Sequence, residues 1–316
     1  MHVQLTERAL AGDKWSIARL ISLFEDPRPS AAEQRALVLA SLRQDDRSRR
    51  AVFPGITGTP GSGKSTLLGR LALLLIQQDP EVRVAVVAID PSSHVSGGSI
   101  LGDRTRVQFP LDELRLFFRS QASDLELGGV SRTTFQVCRL LYFLFDFVFI
   151  ETVGIGQNEI EIQHVADRIY LVLQPLGGDQ VQFMKAGIME IPDAFVLNKS
   201  DTGLAADQSF HALKASLSFS RPGEEDRIPI FRTSATTGSG VQELSADIVA
   251  ADRKDFRRTM NEKEAYFFEK WVRDEYGRTG LRFLNQMRPG ASAYLKKAGS
   301  FDEAQMQFHG EYRGQP

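Results

Sequence analysis

The sequence predicts a doubly wound α/β domain with a mostly parallel sheet and helical N- and C-terminal extensions, and three observations point there. Short apolar runs alternate with helix-length patterns at the intervals of βαβ units, one strand-to-helix turn is a glycine-rich loop, and the strand signal stops after about residue 255. With 316 residues, 42% apolar and 25% charged, the chain has the composition of an ordinary globular protein, long enough for one α/β core with extensions. A net charge of −2 implies no overall attraction to nucleic acid or to an anionic membrane, so neither is expected as a partner.

From the start of the chain, residues 5–24 place Leu10, Ile17, Leu20, Ile21 and Phe24 at helical spacing, and residues 31–42 repeat the pattern beyond Pro29. Two helices are therefore expected before the core. Residues 1–25 carry acidic side chains and lack a long apolar run or a small-residue cleavage site, so they read as structural helix rather than as a secretory signal. The arginine-rich stretch 43–50 reads as a linker. Strands are expected near 51–57, 82–89, 114–119, 146–151, 168–174, 193–198 and 228–234, several of them apolar on both faces as buried parallel strands are. The most hydrophobic run, 140–150, is interrupted by Asp146 and is too short to cross a bilayer; it reads as a buried strand with its approach. Residues 263–276 and 280–287 read as charged amphipathic helices, and 290–316 as a short helical pattern mixed with polar residues and ending in a frayed Gly-Gln-Pro. The expected division is an N-terminal helical extension over 1–45, a nucleotide-binding domain over 46–255 and a C-terminal helical extension over 256–316 that is a candidate dimerisation element. Cys138, the single cysteine, cannot form an internal disulfide and sits among apolar neighbours, which fits a buried thiol in a reducing, cytoplasmic compartment.

The glycine-rich turn is Gly58-Thr-Pro-Gly61-Ser62-Gly63-Lys64-Ser65-Thr66, which satisfies the P-loop pattern between an apolar strand and a helical run. Glycines let the loop curl so that consecutive N–H groups face phosphates, Lys64 reaches the β/γ-phosphates, and the Ser65 hydroxyl can ligate Mg2+. Asp90 ends the second strand and Glu151 the fourth, so both carboxylates are expected beside the phosphate loop as metal ligands. Gly97-Gly-Ser-Ile-Leu-Gly-Asp103-Arg104-Thr-Arg106 reads as a switch loop, with Asp103 a further candidate metal ligand. In Glu151-Thr-Val-Gly154 the glycine stands three residues past the strand-end acid, where its N–H can sense a γ-phosphate. Lys64, Glu151, Gly154 and Gln157 are the catalytic candidates. A glutamine commonly follows such a glycine in fast GTPases, but here Ile155 stands there, which predicts slow intrinsic hydrolysis completed by a partner or by Arg104, Arg106 or Gln157.

Asn198-Lys199-Ser-Asp201 follows the apolar strand near 194–197, and Thr233-Ser234-Ala235 follows the last one. The Asp201 carboxylate can accept from the N1–H and the exocyclic amine of guanine while the Lys199 stem packs on the ring, so GTP and GDP are expected in preference to ATP. Ser234 and Ala235 lie where a loop closes over the base.

Together these blocks resemble the MeaB/ArgK family over about residues 50–240, the glycine-rich switch block and Glu-Thr-Val-Gly-Ile-Gly-Gln-Asn-Glu being more specific than the P-loop. The resemblance implies a GTPase that gates cofactor loading and protection of an adenosylcobalamin-dependent acyl-CoA mutase of the methylmalonyl-CoA mutase type. It also implies a homodimer through C-terminal helices, with Lys64 and Ser65 on phosphate and magnesium, Asp90, Asp103 and Glu151 around the metal, and Asn198, Lys199 and Asp201 on guanine. Two other readings compete. A kinase or ATPase tied to amino-acid transport is disfavoured by Asp201; a nickel-type metallochaperone would carry a histidine tract or a Cys-x-x-Cys, whereas this chain has five scattered histidines and one cysteine.

Overall fold

A computed structural model describes residues 2–90, 107, 109–110, 112–122, 130–152, 161–175, 188–224, 226–251, 256–287 and 290–313. The chain forms two compact units that do not follow chain order: residues 52–131 with 145–257, and residues 1–51 with 132–144 and 258–316.

The first unit is built on seven parallel strands: β1 (Pro54–Gly58), β2 (Val84–Asp90), β3 (Leu116–Ala122), β4 (Phe147–Thr152), β5 (Arg168–Leu173), β6 (Ala194–Leu197) and β7 (Ile230–Arg232). Their spatial order is β3-β2-β4-β1-β5-β6-β7. All seven match the apolar runs in the sequence. β2 and β4 are buried at every position, as continuous apolar runs covered on both faces require. Alternation along β5 and β6 shows the two faces directly. Tyr170, Val172 and Val196 join a cluster with Leu67, Leu71 and Leu244, while Leu171, Leu173, Phe195 and Leu197 join another with Leu213 and Leu217. Thus α4 (Lys64–Gln78) and α7 (Val241–Ala250) cover one face, and α6 (Leu204–Ser220) the other. With β1 paired to β4 on one side and β5 on the other, the strand order turns at β1, and the loops at the carboxyl ends of these strands are where an open α/β sheet binds ligands. β1 closes on β5 so tightly that a Cβ at Gly58, φ +141°, would lie 2.0 Å from the Val172 carbonyl oxygen.

The second unit is helical: α1 (His2–Leu10), α2 (Lys14–Glu25), α3 (Pro29–Gln44), α5 (Arg132–Leu144), α8 (Met260–Met287), α9 (Ala291–Ala298) and α10 (Phe301–Arg313). Here the sequence reading needs two corrections. The single helix expected over 5–24 is two, so three helices rather than two stand in the N-terminal segment. Gly12 takes φ +92° and Asp13 caps α2, its carboxylate accepting from the Ser16 N–H at 3.1 Å. The tail is also more helical than its composition suggests, with α9 and α10 where a short mixed pattern was expected. Within α8, Gly277 breaks the helix at φ 62°, in agreement with the two helical stretches read there. The Gly-Gln-Pro end lies outside the described residues.

Aromatic rings and a buried charge network hold this unit. Phe135 stacks on Phe267 at 4.0 Å and tilts against Phe301, while Phe268 packs edge-on against Phe301 and Phe308. Asp302, fully buried, accepts from Arg35 Nε and Arg139 Nη1, each at 2.8 Å, and Arg139 Nε donates to Glu264 at 2.9 Å. Removing one member of such a cluster strands its partners in a low dielectric. Asp302→Ala is expected to lower unfolding stability by about 3–5 kcal/mol in urea titration, and a change below about 1 kcal/mol would show that the network is not holding the unit. Cys138 is buried in the same unit, and burial pushes its thiol up to about 12, so it is protonated and inert at neutral pH, as expected from its neighbours. No helix among the described residues is long and apolar enough to cross a membrane.

Candidate functional site

β1 ends at Gly58, a loop runs through Thr59–Gly63, and α4 starts at Lys64. Gly61 and Gly63 take φ +78° and +85°, the left-handed region open to glycine at little cost, and this curls the loop around the helix N-terminus. The N–H groups of that first turn, with those of Gly61 and Gly63, line a curl suited to an anion, while the Ser62 N–H donates to the Thr59 carbonyl oxygen at 3.2 Å. Lys64, only 7% exposed, lies back along the loop and donates from Nζ to the carbonyl oxygens of Gly58 at 2.8 Å and Thr59 at 2.9 Å. Its ammonium is thereby held at the cradle.

Next to it, the Ser65 hydroxyl donates to Glu151 Oε1 at 2.7 Å, and the Ser120 hydroxyl donates to Asp90 Oδ2 at 2.6 Å. Both carboxylates are about 1% exposed and stand at the ends of adjacent strands, with Ala88 of β2 in register with Glu151 of β4. Of the two carboxylates expected beside the phosphate loop, Glu151 lies within hydrogen-bond distance of Ser65, and Asp90 accepts from Ser120. Asp103, Arg104, Arg106, Gly154, Ile155 and Gln157 lie outside the described residues.

Asn198, 1% exposed, is spent on both ends of its amide. Nδ2 donates to the Ser62 carbonyl oxygen at 2.8 Å, while Oδ1 accepts from the Ala235 N–H at 3.0 Å and the Thr233 hydroxyl at 3.2 Å. One side chain thus ties the phosphate loop to the loop after β7. The contact also explains Gly63, where a Cβ would sit 2.6 Å from Asn198 Nδ2. Lys199, at φ 59°, extends from the β6 end and donates to the Gly61 carbonyl oxygen and to Gln174 Oε1, both at 2.8 Å. Asp201 lies exposed in the short 3-10 turn Ser200–Thr202. Ser234 and Ala235 are buried, and the Ser234 hydroxyl accepts from the Thr237 N–H at 3.2 Å, closing a tight turn.

Two side chains at this site escaped the sequence reading. Arg70, on α4, donates to the carbonyl oxygens of Ala235 at 3.1 Å and Thr236 at 2.9 Å, bracing the last loop from the helix that carries Lys64. Gln174 receives Lys199. An arginine six residues into a helix and a glutamine after a strand belong to no motif, so nothing local marked them.

A family model described as methylmalonyl-CoA mutase-associated GTPase MeaB matches residues 17–275. A protein of Pyrococcus horikoshii named as a GTPase is 40% identical over 245 residues, covering 76% of this chain and 74% of that protein. A Caenorhabditis elegans protein named methylmalonic aciduria type A homolog, mitochondrial, is 31% identical over 270 residues, covering 82% of this chain and 66% of that one. Among solved structures, one titled LAO/AO transport system kinase superposes with a TM-score of 0.62 at 22% identity over 99% of this chain and 97% of the other, a likeness of fold.

Proposed function

Since this chain belongs to the MeaB family and is a guanine-nucleotide-binding GTP hydrolase, we propose that its nucleotide cycle gates cofactor loading and protection of an adenosylcobalamin-dependent acyl-CoA mutase of the methylmalonyl-CoA mutase type. The observation that carries this reading is the extent of the family match, 17–275, which takes in most of α2, all of α3 and α5 and the first part of α8 as well as the nucleotide core. A generic GTPase core would match over the sheet alone. A homodimer through the C-terminal helices belongs to the same reading.

In this proposal the N–H groups from Gly61 to Thr66 bind the phosphates and the Lys64 ammonium takes the charge that develops between β- and γ-phosphate. Ser65, Asp90 and Glu151 are hard oxygen donors, two of them buried carboxylates, and they suit Mg2+, which takes few protein ligands and keeps waters and substrate phosphates; Asp103 is proposed with them. Magnesium bound there would neutralise phosphate charge and order the bridging oxygens. Asp201 selects guanine and Lys199 lines the base. Asn198 acts through the loops it ties, and Ser234 and Ala235 shape the wall beside the base. Hydrolysis joins a water oxygen to the γ-phosphorus and breaks the bond to the β,γ-bridging oxygen. With Ile155 where a water-orienting glutamine commonly stands, Gly154 and Gln157 are the proposed remaining contributors and the intrinsic rate is slow.

The test is GTP turnover by the purified protein alone and with an adenosylcobalamin-loaded methylmalonyl-CoA mutase from the same organism, with ATP as control. Slow turnover of GTP accelerated by the mutase is expected. GTP turnover unchanged by a mutase that also fails to bind in either nucleotide state would defeat the mutase assignment.

A further inference from the structure

The loop after β7 is gripped from both sides at Ala235. Its N–H donates to Asn198 Oδ1 at 3.0 Å, and its carbonyl oxygen accepts from Arg70 Nε at 3.1 Å. The next carbonyl oxygen, that of Thr236, accepts from Arg70 Nη2 at 2.9 Å. One guanidinium thus spans two successive carbonyls, a grip that its planar fork of donors suits and that a single ammonium cannot copy. The rest of the turn is tied to itself, the Ser234 N–H donating to the Ser239 carbonyl oxygen at 2.9 Å and the Gly238 N–H to that of Ser234 at 2.8 Å. The contacts also close a ring. Asn198 Nδ2 donates to the Ser62 carbonyl oxygen at 2.8 Å, the phosphate loop runs on into α4 at Lys64, and α4 carries Arg70 back to Ala235. Of the two side chains that grip the turn, Asn198 is buried and Arg70 is exposed. Arg70 is therefore the tie that can be cut without stranding a buried polar side chain.

We propose that Arg70 is a positioning residue for guanine nucleotide: by holding the backbone at Ala235 and Thr236 it fixes the wall beside the base and sets how slowly bound nucleotide leaves. The inference rests on the placement of the base between Asp201 and this loop. A base enclosed by a turn leaves when the turn moves, so a contact that holds the turn acts on the dissociation rate. Both bonded donors of Arg70 face carbonyl oxygens, so the side chain works through the loop and not on the phosphate charge. The alternative is that Arg70 only fastens α4 to its neighbours; removing it would then lower the melting temperature and treat ligands with and without a base alike.

The test uses the full chain loaded with N-methylanthraniloyl-GDP and Mg2+ and chased with excess unlabelled GDP. Arg70→Gln should raise the dissociation rate about 10-fold, the scale set by losing charge-assisted hydrogen bonds at a site where water replaces part of them. Arg70→Lys should fall between, because one ammonium serves two carbonyls less well than the fork. Inorganic tripolyphosphate, which has no base, should compete for the phosphate loop equally well in both variants and in the unaltered chain. Single-turnover hydrolysis of GTP already bound should stay within about 2-fold, so that the change falls on retention and not on chemistry. Dissociation of the labelled GDP unchanged in Arg70→Gln, or tripolyphosphate weakened as much as GDP, would overturn the proposal. Asp201→Asn measured in parallel separates the two levels of failure. Faster dissociation in Asp201→Asn with none in Arg70→Gln would defeat the role of Arg70 alone, whereas no change in either would defeat the placement of the base as well.

Discussion

Lys64→Ala should abolish productive turnover of GTP while leaving the protein folded. Under the proposed assignment its ammonium meets charge that grows in the transition state. Removing one such preorganised donor costs about 10²–10³ in rate, and a lost charge-assisted hydrogen bond in the bound state adds about 1.5–3 kcal/mol of affinity. A fall in kcat/KM of roughly 10³-fold or more is therefore expected. The fold has less at stake. Nζ donates to the carbonyls of Gly58 and Thr59, and losing a bond of that kind costs on the order of 1 kcal/mol. Steady-state GTPase assay and thermal melting together decide the matter: a loss below about 10-fold with an unchanged melt would take Lys64 out of the phosphate site.

The second large effect concerns Asp201→Asn. A carboxylate can accept from both N1–H and the exocyclic amine of guanine, whereas an amide offers one acceptor and one donor. Two hydrogen bonds to a charged acceptor at about 1.5–3 kcal/mol each put the loss of GTP affinity on the order of 10²–10⁴-fold. The same amide matches xanthine, which keeps N1–H and carries a carbonyl in place of the amine. Affinity for XTP should rise as affinity for GTP falls, measured by competition against a fluorescent guanine nucleotide. Asp201 is exposed in its 3-10 turn, so the exchange should not disturb folding. Equal weakening of both nucleotides would mean a lost loop conformation, and no change in either would take Asp201 out of the base site.

The sheet was legible in the sequence because burial on both faces leaves β2 and β4 nothing but apolar positions until β2 ends at Asp90 and β4 reaches Glu151 one residue before its end, so strand, strand end and candidate ligand share one pattern. The P-loop was legible because its glycines and lysine are local. What stayed hidden joins residues far apart in the chain. Asn198 reads as part of a base motif, yet its amide closes contacts across 136 residues to Ser62 and 37 to Ala235, which no spacing rule reveals. Arg70 is hidden for the same reason, reaching Ala235 across 165 residues. The break between α1 and α2 differs: Gly12-Asp13 with Ser16 three residues on is a local stop-and-cap signal, outweighed in the reading by the apolar spacing that runs across it.

The buried network around Asp302 also fixes an order of events during synthesis. Arg35 leaves the ribosome 267 residues ahead of the carboxylate that neutralises it, a wait of roughly 10–50 s at ordinary translation speeds. Over that interval the inward faces of α2 and α3, with Leu20, Ile21, Phe24 and Leu42, have no finished core to enter, because α8 and α10 have yet to be made. The sheet unit has all of its strands once Arg232 has been made. The nascent chain therefore carries a completed strand set alongside an apolar, cationic N-terminal segment still waiting for its counter-charge, and that segment is where a holdase, or premature association with a neighbouring chain, would act on a growing polypeptide.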